Sequence, residues 1–498
     1  MKNLTRRDFL KLSGAGLGAL GLTGLTACSS SSEGSQTVSS DLTSGEESSN
    51  EEQVTLRVVD WSDGSANRRE EFHEKYMDEH PDIEIEYTML TVDQFKNTIV
   101  TLIKSGDGPD LFPIPVGMTL NTVLEENWYQ PLNDYVTAEF AESFDPASFA
   151  EGVTHIGDDW YTITEVMPTI QCLFFYNQDV LDQAGVTELP HTYSEFREAC
   201  RKITENGGGS VYGLIDGGKQ VNRMDVLARS MVAAAGGKIA ATSKVLTNGG
   251  RAPYDSDAML QVMGLLKDLT DDGSIHPDTV NISAPEAREL FAQGQAGFLC
   301  QGMWCITQWH EDYPDLNYGV MAVPVPDGVT DTYVQAGELS PWIGIYSQSK
   351  HPQAAADYLM ALFDAEFGYQ SGCVSDGTFV SVIPAVNDEY MTNEVMIDYY
   401  TIAEETSKTV PSITMRDEKA YDFYSEVTDV QPSLGAIVQG VISQSITDYE
   451  TYLTELADAS TEEWQRACEA VGMDYSVLEF ENWDPSRDYT QEDYDALT

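Results

Sequence analysis

Val54-Thr55-Leu56-Arg57-Val58-Val59-Asp60-Trp61 decides the fold class of this chain. Val54, Leu56 and Val58 fall on one face of an alternating pattern, the two-residue period of a strand, which ends at Asp60-Trp61. Ser62-Asp63-Gly64-Ser65 reads as a loop. A helix follows, with Phe72 and Tyr76 four residues apart on its buried side and His80-Pro81 as its stop. Ile83, Ile85, Tyr87 and Met89 alternate again. Phe95, Ile99, Leu102 and Ile103 recur at helical spacing, and Gly106-Asp107-Gly108-Pro109-Asp110 then turns the chain into a short apolar strand, Leu111 to Ile114. A strand-helix-strand-helix-strand order requires a largely parallel sheet with helices packed on it, an α/β unit.

The pattern restarts further on. Leu173-Phe174-Phe175-Tyr176 is an apolar run of buried-strand type, and Thr192 with Glu195 has the spacing of a helix capping box. That helix buries Phe196, Cys200 and Ile203 and ends near Asn206-Gly207. Ser283 and Pro285 open another. Gly297 to Cys300, Tyr318 to Pro324 and Trp342 to Tyr346 read as strands, and the chain beyond about residue 390 reads as mostly helical. No repeat appears. Two α/β lobes in one chain are expected.

Upstream of the body, Lys2, Arg6, Arg7 and Lys11 precede an uncharged apolar run, Leu12 to Leu25, that closes on Leu25-Thr26-Ala27-Cys28. A basic start, a short apolar stretch and small residues before a cut site read as an export signal over residues 1–27. The run is too short and glycine-rich for a membrane span. Leu-Thr-Ala-Cys resembles the bacterial lipobox, which makes Cys28 the lipidated residue. Thr5 to Lys11 resembles a twin-arginine signal, with a general leader that carries Arg-Arg as the alternative. Residues 28–53 are rich in Ser, Glu and Gly without a base, the composition of a tether. The expected location is the outer face of the bacterial cytoplasmic membrane, where ATP and NAD are absent.

Acids outnumber bases 82 to 27, a net charge of −55. Loss of residues 1–27 removes four bases and one acid and leaves −58. Such a charge argues against nucleic acid, whose phosphates need Lys and Arg, and against electrostatic docking on an anionic membrane. It favours a soluble monomer, with membrane contact through the lipid alone. Six cysteines remain besides Cys28: Cys172, Cys200, Cys300, Cys305, Cys373 and Cys468. An exported chain permits disulfides among them, and buried free thiols are the favoured reading.

Catalytic and cofactor motifs are missing. There is no Walker loop, no His-Glu-x-x-His and no Gly-x-Ser-x-Gly elbow. The Cys300-x4-Cys305 pair has no companion of the kind zinc requires, and Ser347-x-x-Lys350 lacks the partner motifs of acyl-serine enzymes. No cofactor, no metal and no enzymatic activity are expected. Trp and Tyr at strand ends stand out instead. Trp61 follows a strand, Trp304 follows another beside Gly302, and Trp342 begins one. An indole face suits a sugar ring, apolar on its faces and hydroxylated at its rim; the alternative is that these rings fill cores.

Several ordered stretches carry a resemblance. Gly106 to Leu111 is similar to a Gly-x-x-Pro-Asp strand entry. Phe175 to Asp179, Ala184-Gly185-Val186, Pro190-x-Thr192-Tyr193 and Glu195-Phe196 follow Tyr-Asn-Lys-Asp…Ala-Gly…Pro-x-Thr-Trp-x-Glu-Phe. Phe291-x2-Gly294-x-Ala296 with Gly302-x-Trp304 follows Phe-x-x-Gly-x-Ala…Gly-x-Trp. In this order, behind a lipobox, they resemble the extracellular solute-binding proteins, family 1, that feed sugars to ABC importers. The resemblance implies a two-lobed periplasmic-binding-protein-like fold with hinge crossovers. The first lobe would hold residues 54–168 and 341–390, the second 169–340 and 391–498. It implies capture of a carbohydrate, an oligosaccharide by expectation, through lobe closure and delivery to ABC permease subunits. The site residues carried over are Trp61, Asp63, Gln171, Trp304 and Trp342, with Trp304 as stacking platform and Asp63 and Gln171 bonding hydroxyls. Gln178 stands where the family has Lys, and the loop after Asp110 lacks its charged or aromatic contacts, so the sugar is left open. A peptide, polyamine or metal receptor of the same fold is the alternative, and a tethered hydrolase a remote one.

Overall fold

A computed structural model describes residues 53–497 apart from 62–64, 91, 116–117, 151, 168–171, 241–244, 336–341 and 418. In chain order the elements that matter are β1 (Val54–Asp60), α1 (Ala66–Glu79), β2 (Ile83–Met89), α2 (Val92–Ser105) and β3 (Leu111–Pro113). They are followed by β4 (Leu173–Asn177), α3 (Tyr193–Asn206), β5 (Tyr212–Ile215), α4 (Val221–Ala234), β6 (Ala296–Gln301), α5 (Cys305–Asp312) and β7 (Tyr318–Met321). The chain then forms β8 (Ile343–Ile345), α6 (Pro352–Phe363), α7 (Tyr369–Asp376) and α8 (Glu394–Thr406).

The first sheet has the order β8-β3-β1-β2. β1 runs parallel to both β2 and β3, in register from Val54 opposite Ile83 to Asp60 opposite Met89, as the strand-helix-strand reading requires. β8 returns antiparallel on β3. The alternation of β1 buries Leu56 and Val58, while α1 buries Arg69, Phe72, His73 and Tyr76 along one stripe. Arg69 is the unexpected member of that stripe.

The second sheet has the order β5-β6-β4-β7. Here β5 and β6 are parallel, and β4 runs against both β6 and β7. β4 is buried nearly throughout, which explains its unbroken apolar run. The capping box of α3 forms: Thr192 accepts from the Glu195 N–H while Glu195 accepts from the Thr192 N–H. Beyond residue 390 the chain is mostly helical, its longest helix Tyr449–Val471.

Each sheet has its own core. One gathers residues of β1, α1, β8, α6 and α7; the large second one gathers β4, α3, β5, α4, β6, α5 and α8. The chain passes between them three times. Residues 164–172 lead from the first to the second, and the chain returns ahead of Trp342 and leaves again between Tyr390 and Glu394. The outgoing and returning passages are tied: Ile163 and Ile343 exchange backbone hydrogen bonds of 2.9 and 3.2 Å, and the Met167 N–H donates to the Val380 carbonyl at 2.9 Å. The six cysteines from Cys172 to Cys468 are free, buried thiols. Among the described residues no helix is long and apolar enough to cross a membrane.

Candidate functional site

In an α/β sheet the carboxyl ends of the parallel strands carry the binding loops. In the first lobe that edge presents Asp60 and Trp61 after β1, Met89 closing β2, Ile114 after β3 and Trp342 before the antiparallel β8. In the second it presents Asp216 after β5, Gly302-Met303-Trp304 after β6 and Cys172 before the antiparallel β4. Cys172 and Trp342, the described ends of two passages, lie at these edges. There Thr307 of α5 donates to the Asp376 carbonyl of α7 at 3.2 Å and lies 2.9 Å from the Thr378 hydroxyl. Two surface hollows of about 530 and 580 Å³ sit elsewhere, by Val54 and Ile83 and by Asn177, Gly294 and Asn317, at the opposite ends of the two sheets.

Trp304 is 44% exposed, unusual for an indole, and stands at the N-terminus of α5. Its ring lies against Gly302, where a Cβ would come within 2.1 Å of the indole. Any larger residue at 302 would displace the ring. Trp61 is partly buried and packs against the first core and a smaller cluster around Phe95, Phe112 and Trp128; its indole N–H is buried without a hydrogen-bond partner among the described residues, and its backbone N–H donates to the Asp60 carboxylate at 2.6 Å. Trp342 is 3% exposed and packed in the first core with a guanidinium on its face. Asp63, Gln171 and Cys28 lie outside the described residues.

Behind Trp61 is a buried ionic cluster that no local pattern announced. Asp60 stands 3.4 Å from Arg69, itself wholly buried. The Arg69 guanidinium lies between the rings of Trp342 and Tyr369, 4.6 and 4.5 Å from their centres. It donates to Glu165 at 2.7 Å and to the Tyr369 hydroxyl, which also donates to Glu165. Burial pushes the Glu165 carboxyl up to about 7, against the opposing pull of Arg69.

The second lobe has its own version. Asp216 accepts from the Gly217 N–H at 2.6 Å and from Gln301 at 3.3 Å, and stands 3.6 Å from Arg223. Arg223 also donates to the Cys300 carbonyl at 2.7 Å and reaches the Cys172 sulfur at 3.5 Å. A hydrogen bond with the Cys300 thiol brings Cys172 down to about 7; burial opposes this and Arg223 assists it. The buried carboxylates at both edges are therefore already engaged by arginine, and Trp304 is the indole exposed there. One signal could have revealed Arg69: it occupies the same helical stripe as Phe72 and Tyr76, three residues before Phe72.

Residues 61–367, more than half of the chain, match the profile of the bacterial extracellular solute-binding proteins. This chain belongs to that family. A binding protein of Brucella abortus (strain 2308) is 24% identical over 63% of this solute-binding protein and 73% of its own length. Among solved structures, one from work on xylan utilisation by Caldanaerobius polysaccharolyticus aligns with a TM-score of 0.62 and 19% identity, covering 82% of this chain and all of its own. The maltose/maltodextrin-binding domain MalE of Bdellovibrio bacteriovorus, bound to maltotriose, gives 0.60 and 17%, with 83% of this chain and 100% of that one covered. The GacH receptor of Streptomyces glaucescens, known unliganded and with acarbose, gives 0.59 and 16%, with 82% and 98% covered. The two-lobed periplasmic-binding-protein fold is thus shared with sugar-binding proteins.

Proposed function

We propose that this solute-binding protein is the receptor of an ABC importer and captures a carbohydrate, an oligosaccharide in our reading, between its two lobes. Closure commits the sugar without chemical change, and the closed form is handed to the permease subunits. The lobes divide as residues 54–168 with 341–390 and 169–340 with 391–498. Cys28 carries the lipid, residues 28–53 are the tether, and a single copy acts at the outer face of the cytoplasmic membrane.

The observation that carries this reading is Trp304, an exposed indole resting on Gly302 at the strand-end edge of the second lobe. It offers a flat apolar platform, with Trp61 at the corresponding edge of the first lobe. Ligand shifts an open–closed balance only through contacts it makes better in the closed state, so one aromatic from each lobe is the minimum set. Trp342, beneath the Arg69 guanidinium, enters as the floor behind Trp61. Asp63 and Gln171 supply the hydrogen bonds to hydroxyls. The maltotriose and acarbose held by the Bdellovibrio and Streptomyces proteins support the ligand class.

Isothermal titration with maltotriose and with a xylo-oligosaccharide tests the reading. Trp304→Ala is expected to weaken the sugar that binds by about 1–3 kcal/mol, the range for loss of an aromatic stacking platform, with an unchanged melting temperature in the absence of sugar. Equal affinity in the variant removes Trp304 from the site. Chromatography of the sugar after incubation separates a receptor from a hydrolase, because a receptor returns it intact.

A further inference from the structure

The Arg69 cluster reaches further than the edge it stabilises. Three partners of its guanidinium, Glu165, Trp342 and Tyr369, belong to segments that feed a passage between the lobes. Glu165 lies on the first passage, between Ile163, paired with Ile343, and Val166, paired with Ser381. Trp342 is the first described residue of the second passage where it re-enters the first lobe. Tyr369 sits on α7, which runs into Phe379–Ile383, the stretch hydrogen-bonded to the first passage. Asp60 ends the strand that carries Trp61. One buried cation therefore ties the ligand-facing end of β1 to the feet of the passages about which the lobes must turn.

We propose that Arg69 and Glu165 form a proton-dependent clamp on the hinge, tight while Glu165 carries a proton and loosened when it ionises. The charge balance gives the direction. Asp60 already neutralises Arg69, so a protonated Glu165 leaves the cluster neutral, whereas an ionised one adds an uncompensated negative charge in a site largely closed to water. Opening the hub returns Glu165 to solvent and an ordinary carboxyl, so the open arrangement gains on the closed one as pH rises through neutrality.

Arg69, His73 and the buried tyrosines hold their state over that range. Asp60, Arg69 and Tyr369 are the charged or titratable groups that act most on Glu165. On α1, burial and then Arg69 bring His73 down to about 3, which leaves it neutral and bonded to Tyr358 at 2.8 Å. Tyr87 of β2, Tyr358 of α6, and Tyr369 and Cys373 of α7 are all pushed upward by burial. Glu165 is the member of the cluster placed to exchange its proton near neutral pH.

The clamp rests on the lobe-closure reading for its use, but its test needs no sugar. Amide hydrogen exchange of the ligand-free full chain, with intrinsic rates divided out, is compared at pH 6 and pH 8. Protection of residues 161–167 and 378–383 is expected to fall roughly tenfold across that interval, while β5 and β6 of the second lobe hold theirs. Glu165→Gln, isosteric and always neutral, is expected to keep the pH 6 protection at both values. Unchanged wild-type protection overturns the clamp without touching the sugar reading, and needs no variant to fold. A fall of the same size in Glu165→Gln overturns it equally.

Discussion

Asp60 with Arg69 and Asp216 with Arg223 are the same device built twice, once at the strand-end edge of each lobe. In both, a strand ends in a buried Asp whose first oxygen takes the next residue's N–H at 2.6 Å, and the following helix returns an Arg to the second oxygen at 3.4 or 3.6 Å. The surroundings differ. Arg69 is held by aromatic faces and a second carboxyl, Glu165. Arg223 has a backbone carbonyl, a sulfur and no second acid among its bonded partners. The pair in the second lobe is therefore balanced at any pH where Asp216 is ionised, whereas the first depends on the proton of Glu165. Identical motifs become a fixed brace in one lobe and a titratable one in the other.

The largest effect expected from this contrast is on stability. Arg69→Ala leaves Asp60 buried without its cation and removes the filling between two rings, at a cost of about 3–5 kcal/mol in urea unfolding. Arg223→Ala is expected to cost less, about 2–3 kcal/mol, because Gln301 and the Gly217 N–H still serve Asp216. The reverse order would mean that the aromatic sandwich adds nothing.

Next comes the pH slope. A carboxyl raised from 4.5 to about 7 by folding favours the folded state fully below about 4.5, and that contribution is lost as pH climbs to 7 and beyond. The loss amounts to about 3 kcal/mol. Melting curves from pH 5 to pH 8 should show wild type falling relative to Glu165→Gln, and parallel curves would remove Glu165 as the source. The smallest effect is expected at Cys172→Ala, about 1 kcal/mol, since Arg223 loses one sulfur contact and keeps its carbonyl and its Asp. A loss above about 3 kcal/mol would show the thiol to be a structural partner of Arg223 rather than a bystander.

The framework of both lobes was readable because its signals are local. The period of two in β1 and β2 and the glycine turn before Leu111 lie within a few residues of what they determine, and the Thr192–Glu195 box spans three. The strand ends, and with them the places of Trp61 after β1 and Trp304 after β6, followed from the same patterns. The ionic cluster was hidden because its bonds join residues 96 and 300 positions apart, and no spacing rule reaches that far. Trp342 illustrates the limit between these cases. Its place at the start of a strand puts it on the cleft edge, but whether its ring faces ligand or arginine is set by a helix that ends more than two hundred residues earlier.

Gly302 makes the lie of an exposed indole in the second lobe depend on an omission. The indole of Trp304 can lie down only because the backbone beneath it carries hydrogen where every other amino acid carries carbon. A single added methyl at that point would overlap the indole and force the ring off the backbone it rests on. The lie of that exposed ring is thus written in one of the smallest side chains in the protein, next to one of its largest.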